Sequence, residues 1–160
     1  MAALSLSELI LQRCEWKRNG KRVVCVTGVF DLLHPGHIRL LEQARVLGDV
    51  LVVAVRSDAH AREQKGAGRP VTAAAERAEI VAALAAVDIV VELTDDPSAK
   101  KFVEEFAPDV LVQASGTSSK KPGRTQHDPA STPGVKLIQI PPEPGHSTSL
   151  LIERVKQLRA

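Results

Sequence analysis

The apolar run inside Arg22-Val23-Val24-Cys25-Val26-Thr27 constrains this chain more than any other feature. It has strand length and β-branched residues, yet it does not alternate apolar with polar, so it suits a strand covered on both faces. Further strands are expected over Val50 to Val55, Ile89 to Leu93, Val110 to Val112 and Val135 to Ile140. Between them lie amphipathic stretches of helical period: residues 5 to 18, Gly36 to Leu47, Ala73 to Ala86, Ser98 to Phe106 and Thr148 to Leu158. Ser5-Leu6-Ser7-Glu8 opens the first of these as a capping box. Alternating β and α units predict an α/β fold, a Rossmann-like, doubly wound parallel sheet with helices on both faces.

A length of 160 residues fits one domain, taken as residues 1–160 with an N-terminal helix over 1–20. Such a chain buries roughly 70% of its unfolded surface and needs no disulfide or structural metal. The two cysteines, Cys14 and Cys25, have no metal-site or redox spacing, and a reducing, cytoplasmic compartment is the expectation. No secretory-type segment precedes the first helix, so Met1 is expected to be the true start. The longest apolar run, Val50 to Val55, is too short to span a bilayer. A net charge of +2, one Trp and three Phe argue against nucleic acid as a partner. Two connections are long: Arg56 to Thr72, and the Ser115 to Gly134 loop with Lys120, Lys121, Arg124 and His127, which is expected to be mobile.

The segment Gly28-Val29-Phe30-Asp31-Leu32-Leu33-His34-Pro35-Gly36-His37 lies where the first strand hands over to the second helix. Open α/β sheets bind ligands at such junctions. Gly28 allows close approach of backbone to a ligand, and Pro35-Gly36 starts a helix whose unpaired N–H groups favour a phosphate. Three residues apart, His34 and His37 face one another across the first turn and can donate hydrogen bonds to one anion. Asp31 on its own reads equally as the closure of an Asx-turn, and Phe30 as core.

In order and spacing, this stretch through Ile38-Arg39-Leu40-Leu41 resembles the signature of the cytidylyltransferase-like nucleotidyltransferases. Further matches are Leu47-Gly48-Asp49, Ser57-Asp58, Lys65-Gly66, Arg69-Pro70-Val71, Glu76-Arg77, Val87-Asp88, Pro108 to Val112 and Ser147-Thr148-Ser149. They extend the resemblance over about residues 22 to 158, and within the family it is nearest to the heptose 1-phosphate adenylyltransferases. The resemblance implies transfer of a nucleoside monophosphate from ATP or another NTP to a phosphorylated sugar of heptose type, with Mg²⁺ or another divalent cation as cofactor. It implies His34, His37 and Lys65 as catalytic residues. Nucleotide binding would fall to Thr27, Gly28, Val29, Phe30, His34, Gly36, His37, Ser147, Thr148 and Ser149. Asp31 would lie near the metal or the acceptor phosphate, and Arg69 and Gln113 near the acceptor. A homodimer is also implied, with the helix around Trp16 either at an interface or packed on its own sheet.

The chain departs from that family at three places: Thr27 replaces Asn, Ile89 replaces an aromatic residue, and Gln113-Ala114-Ser115-Gly116 replaces Lys-Gly-Gly-Asp. The last change bears on the acceptor, because it removes a cation and a carboxylate. Two other readings stand beside the first: a cytidylyltransferase acting on glycerol, ethanolamine or a similar alcohol phosphate, and a nucleotide-binding module without catalysis. An NAD-dependent oxidoreductase is disfavoured, since no G-x-G-x-x-G follows the first strand.

Overall fold

A computed structural model describes residues 5–93, 99–114 and 132–158. The elements run α1 (Leu6–Arg18), β1 (Val23–Gly28), α2 (Pro35–Arg45), β2 (Val50–Arg56), α3 (Asp58–Lys65), α4 (Ala74–Ala82), β3 (Ile89–Leu93), α5 (Ala99–Phe106), β4 (Val110–Ala114), β5 (Lys136–Ile140) and α6 (Thr148–Gln157). The five strands form one sheet in the order β3-β2-β1-β4-β5. Every neighbouring pair is parallel. This is the expected α/β, Rossmann-like architecture. Winding outward from β1 to β3 and then returning to β4 on the other flank creates a switch point between β1 and β4, with a crevice at the carboxyl ends of the strands.

The unbroken apolar run of β1 now has its explanation. Val24 and Val26 join Leu41, Leu51, Val53, Val55 and Val81 in a core under α2 and α4. Val23 and Cys25 join Leu9, Trp16, Val52, Phe102 and Phe106 in a second core under α1 and α5. Alternate residues of one strand thus serve two cores. Trp16 is buried in the second of these, so of its two readings the packing on its own sheet is the one observed.

The starts of β1 and β2 are fastened by carboxylates from the turns that lead into their neighbours. Asp49 accepts from the N–H of Arg22 at 2.7 Å, Asp88 from Leu51 at 2.7 Å and Asp109 from Val23 at 2.7 Å. Arg13 of α1 reaches Asp109 at 3.0 Å and ties the N-terminal helix to the same edge.

The structure corrects one expectation of the sequence and trims others. The connection from Arg56 to Thr72, expected as irregular, contains α3. Ser57 caps that helix by accepting from the N–H of His60 at 3.2 Å, and Ala61 is its one buried residue. With so little apolar periodicity, a cap was the only available signal. Helix α4 stops at Ala82, four residues short of the expectation, and a turn covers the remainder. Most of the Ser115 to Gly134 loop lies outside the described residues, including Lys120, Lys121, Arg124 and His127.

Candidate active site

His34 occupies the N-cap of α2 with extended backbone (φ −141°, ψ 166°), and Pro35 supplies the first helical residue. Proline suits that position because its missing N–H would have no helical partner. The N–H of His34 donates to Nδ1 of His37 at 3.3 Å. That bond assigns the His37 proton to Nε2, on the far side of the ring. The two imidazoles stack obliquely, with centroids 3.9 Å apart and planes inclined by 31°. Nδ1 of His34 is buried and has no hydrogen-bond partner among the described residues. The expected pairing of imidazoles across the first turn is present.

Around this pair the loop is held in an unusual conformation. Phe30 and Leu32 both have positive φ, 54° and 52°, a region that costs a bulky side chain about 1–3 kcal/mol. Phe30 is buried, and its ring lies 5.5 Å from that of His37, centroid to centroid. A Cβ at position 28 would stand 2.7 Å from the Phe30 ring, and one at position 36 would stand 2.9 Å from the His34 ring. Both glycines are therefore required by the packing of their own loop.

Asp31 is buried at 2% exposure, and its carboxylate is surrounded by donors. Oδ2 accepts from Nε of Arg69 at 2.6 Å, while Oδ1 accepts from the N–H of Val71 at 3.0 Å and from the N–H and hydroxyl of Thr72 at 3.3 Å. The loop before α4 is thereby folded onto the junction. Arg77, whose side chain is fully buried, secures it from behind. Its guanidinium donates to the carbonyls of Thr72 (3.0 Å), Arg56 (3.0 Å) and Val29, and to Asp58 at 2.5 Å. This staple was missed as a functional residue in the sequence. The signal was nonetheless there, because Arg77 falls on the face of α4 shared by Ala78 and Val81.

The last helix closes the other side. The hydroxyl of Thr148 donates to the backbone carbonyl of Asp31 at 2.8 Å, so the N-terminus of α6 abuts the β1–α2 loop. Ser147 is an N-cap, accepting from the N–H of Leu150 at 3.2 Å. The N–H of Leu151 is taken by the Ser147 carbonyl. Of the three hydroxyls, only that of exposed Ser149 is uncommitted among the described residues, alongside the N–H groups of Thr148 and Ser149. Arg39 of α2 pairs with Glu143, just ahead of α6, as a second tie.

The other expected site residues are placed less centrally. Thr27 and Val29 are half-buried beside Gly28 at the mouth of β1, and the Val29 carbonyl is used by Arg77. Lys65 ends α3, close enough for its charge to oppose protonation of His37. Arg69, expected at the acceptor, is engaged with Asp31. Gln113 is half-buried near the carboxyl end of β4, in register with Gln139.

The model of the cytidylyltransferase-like family matches residues 25–154, which span the whole of this arrangement. The chain belongs to the cytidylyltransferase-like family. It is 44% identical to the bifunctional protein HldE of Koribacter versatilis (strain Ellin345), over 92% of this chain and 30% of that protein. With HldE of Haemophilus influenzae (strain PittEE) it shares 36% identity over 99% of this chain and 32% of that protein. The chain thus spans about a third of the length of the curated relatives it matches. Among solved structures it is similar to the lipopolysaccharide core biosynthesis protein from Thermoplasma volcanium GSS1. That likeness has a TM-score of 0.62 and 28% identity, covering 78% of this chain and 99% of that one.

As a cytidylyltransferase-like domain, the chain carries donors for anions far better than ligands for a cation. No group of three or more His, Cys, Asp or Glu side chains suited to a metal exists among the described residues. The carboxylate nearest the imidazoles, Asp31, is already held by Arg69 and the 71–72 amides. These residues do not fit a resident metal. No helix among the described residues is long and apolar enough to cross a membrane.

Burial pushes the His37 imidazole down to about 4, aided by His34 and Lys65 and opposed by Asp31. His34 is also lowered, chiefly by burial and then by His146. At neutral pH both rings are uncharged donors. Because the folded value of His37 lies below the ordinary 6.5, the unfolded chain binds a proton that the folded chain refuses between pH 6.5 and 4. Folding stability contributed here is complete above pH 6.5 and is lost as the pH falls. Denaturant melts of wild type and His37→Asn, compared from pH 8 to pH 4, should diverge by up to about 3 kcal/mol at the acid end, with the wild type falling faster. Parallel profiles would remove the assignment.

Proposed function

We propose that this chain is a nucleotidyltransferase that moves the nucleoside monophosphate of ATP onto a sugar 1-phosphate of heptose type and releases pyrophosphate. The observation that carries the reading is the 2.8 Å bond from Thr148 to the Asp31 carbonyl. It joins the α6 N-terminus, with the open N–H groups of Thr148 and Ser149, to the loop that presents His34, His37 and the N–H of Gly36. Two helix N-termini aimed at one crevice favour a polyanion. Family membership and the similarity to HldE proteins support adenylyl transfer.

In this reading a phosphate oxygen of the acceptor attacks the α-phosphorus. A new P–O bond forms, the bridge to the β-phosphate breaks, and pyrophosphate departs with the electron pair. The nucleophile is already anionic at neutral pH, so no general base is needed. The protein's part is alignment and stabilisation of charge on the phosphoryl oxygens. His37 donates from Nε2, because Nδ1 is occupied by the His34 N–H. His34 donates beside it, and Lys65 supplies positive charge from the end of α3. Asp31 and Arg69 neutralise one another and hold the loop that carries the imidazoles. A divalent cation, Mg²⁺ or another, belongs in this scheme with the triphosphate, since no carboxylate cluster suited to it exists among the described residues.

The test is a matrix of ATP, CTP, GTP and UTP against heptose 1-phosphate, hexose 1-phosphates, glycerol phosphate and ethanolamine phosphate, read by pyrophosphate release. Release with ATP and a sugar 1-phosphate alone is expected. Turnover confined to CTP with an alcohol phosphate would replace this reading by the cytidylyltransferase one. Nucleotide binding without any turnover would leave a binding module.

A further inference from the structure

His146 lies within the segment that clamps α6 to α2, yet no role in the proposed reaction has been given to it. Three residues before it, Glu143 pairs with Arg39, and its Cβ would stand 3.5 Å from a side chain at position 36. Two residues after it, Thr148 bonds to Asp31. The N–H of His146 turns back to the Glu143 carbonyl at 3.4 Å, across Gly145 with its positive φ of 75°. Position 146 is therefore fixed between two anchors on the same loop-helix junction. The imidazole is half-buried and makes no hydrogen bond among the described residues. It is near enough to His34 to oppose the protonation of that ring, and the buried Nδ1 of His34 has no hydrogen-bond partner among the described residues.

Imidazole N–H groups brought together in a crevice with open helix N–H groups form a set of donors that an anion satisfies. We propose that His146 is a third imidazole of the polyphosphate site, donating to the β- or γ-phosphate from the α6 side while His34 and His37 serve from α2. The inference rests on the nucleotidyltransferase reading for its physiological ligand. As a statement about anion binding it is testable without any acceptor. The titratable and charged groups around the cluster are His34 and His37 of α2, Asp31 before it, Lys65 at the end of α3, and the Arg39–Glu143 pair.

Inorganic tripolyphosphate is the probe, titrated calorimetrically into wild type and His146→Gln at pH 6.5 and pH 8.5. A charge-assisted hydrogen bond lost to a neutral amide predicts binding about 10-fold weaker in the variant at pH 6.5. The gap should narrow at pH 8.5, where imidazoles carry little charge. Unchanged thermal melting of the variant, together with movement of the His146 ring resonances on adding tripolyphosphate, separates contact from a structural role. Affinity within twofold of wild type at both pH values overturns the proposal and leaves the transferase reading intact. Failure of the wild type to bind any polyphosphate removes both. A weakened variant in a protein that turns over no acceptor upholds the third imidazole and defeats the transferase.

Discussion

Replacing His34 or His37 with alanine should lower kcat by on the order of 100-fold or more, with a far smaller change in melting temperature. In the proposed reaction each ring is a neutral donor whose partner in the transition state is a phosphoryl oxygen gaining charge, and a hydrogen bond that strengthens there acts on kcat more than on KM. The double variant should lose little more than either single one, since rings 3.9 Å apart serve one group of oxygens. Steady-state kinetics by pyrophosphate release, with circular dichroism melts of the same preparations, decides the matter. Turnover within threefold of wild type in either variant would strip that residue of its role. The His37 variant has an additional signature: without Nδ1, the His34 N–H loses its acceptor, so helix α2 should fray slightly at its first turn.

Arg77→Met should be the most destabilising single change on the site side of the sheet, at about 3 kcal/mol or more by urea unfolding. The methionine fills similar volume but leaves the carbonyls of Thr72, Arg56 and Val29 without their donor and Asp58 without its ion-pair partner. Arg77→Lys should recover only part of the loss, because an ammonium cannot reproduce a planar fork reaching four acceptors. Since Thr72 also holds Asp31, the Met variant should lose activity in proportion beyond its unfolded fraction. A stability within about 1 kcal/mol of wild type would mean that water replaces the guanidinium at each carbonyl.

What the sequence disclosed follows from how each feature is encoded. The strands were legible because β1 and β2 are apolar without interruption, and the junction because Gly28 to His37 packs several chemically unusual residues into ten positions. Helix α3 was not legible, since a helix that buries a single alanine leaves no periodic trace. The partners of the site residues were equally hidden. Asp31 is 38 residues from Arg69 and 117 from Thr148, and no local pattern announces contacts at such separations. The bond of Arg69 to Asp31 is one such contact, beside the acceptor role that the resemblance implies for Arg69. Two of the three serine and threonine hydroxyls that open α6 are engaged within the chain, Thr148 with the Asp31 carbonyl and Ser147 with the N–H of Leu150, contacts that the sequence could not show.

Three aspartates, 49, 88 and 109, each grip an amide at or beside the start of a neighbouring strand, β1 for Asp49 and Asp109 and β2 for Asp88. Strand alignment is thereby locked at the rim remote from the crevice, independently of whatever sequence occupies the loops at the opposite rim. A lineage carrying these three clasps is free to exchange residues in the loops at the opposite rim without sliding one strand past the next. Divergence in substrate taste is then mechanically inexpensive, because the frame that would register an error is assembled elsewhere.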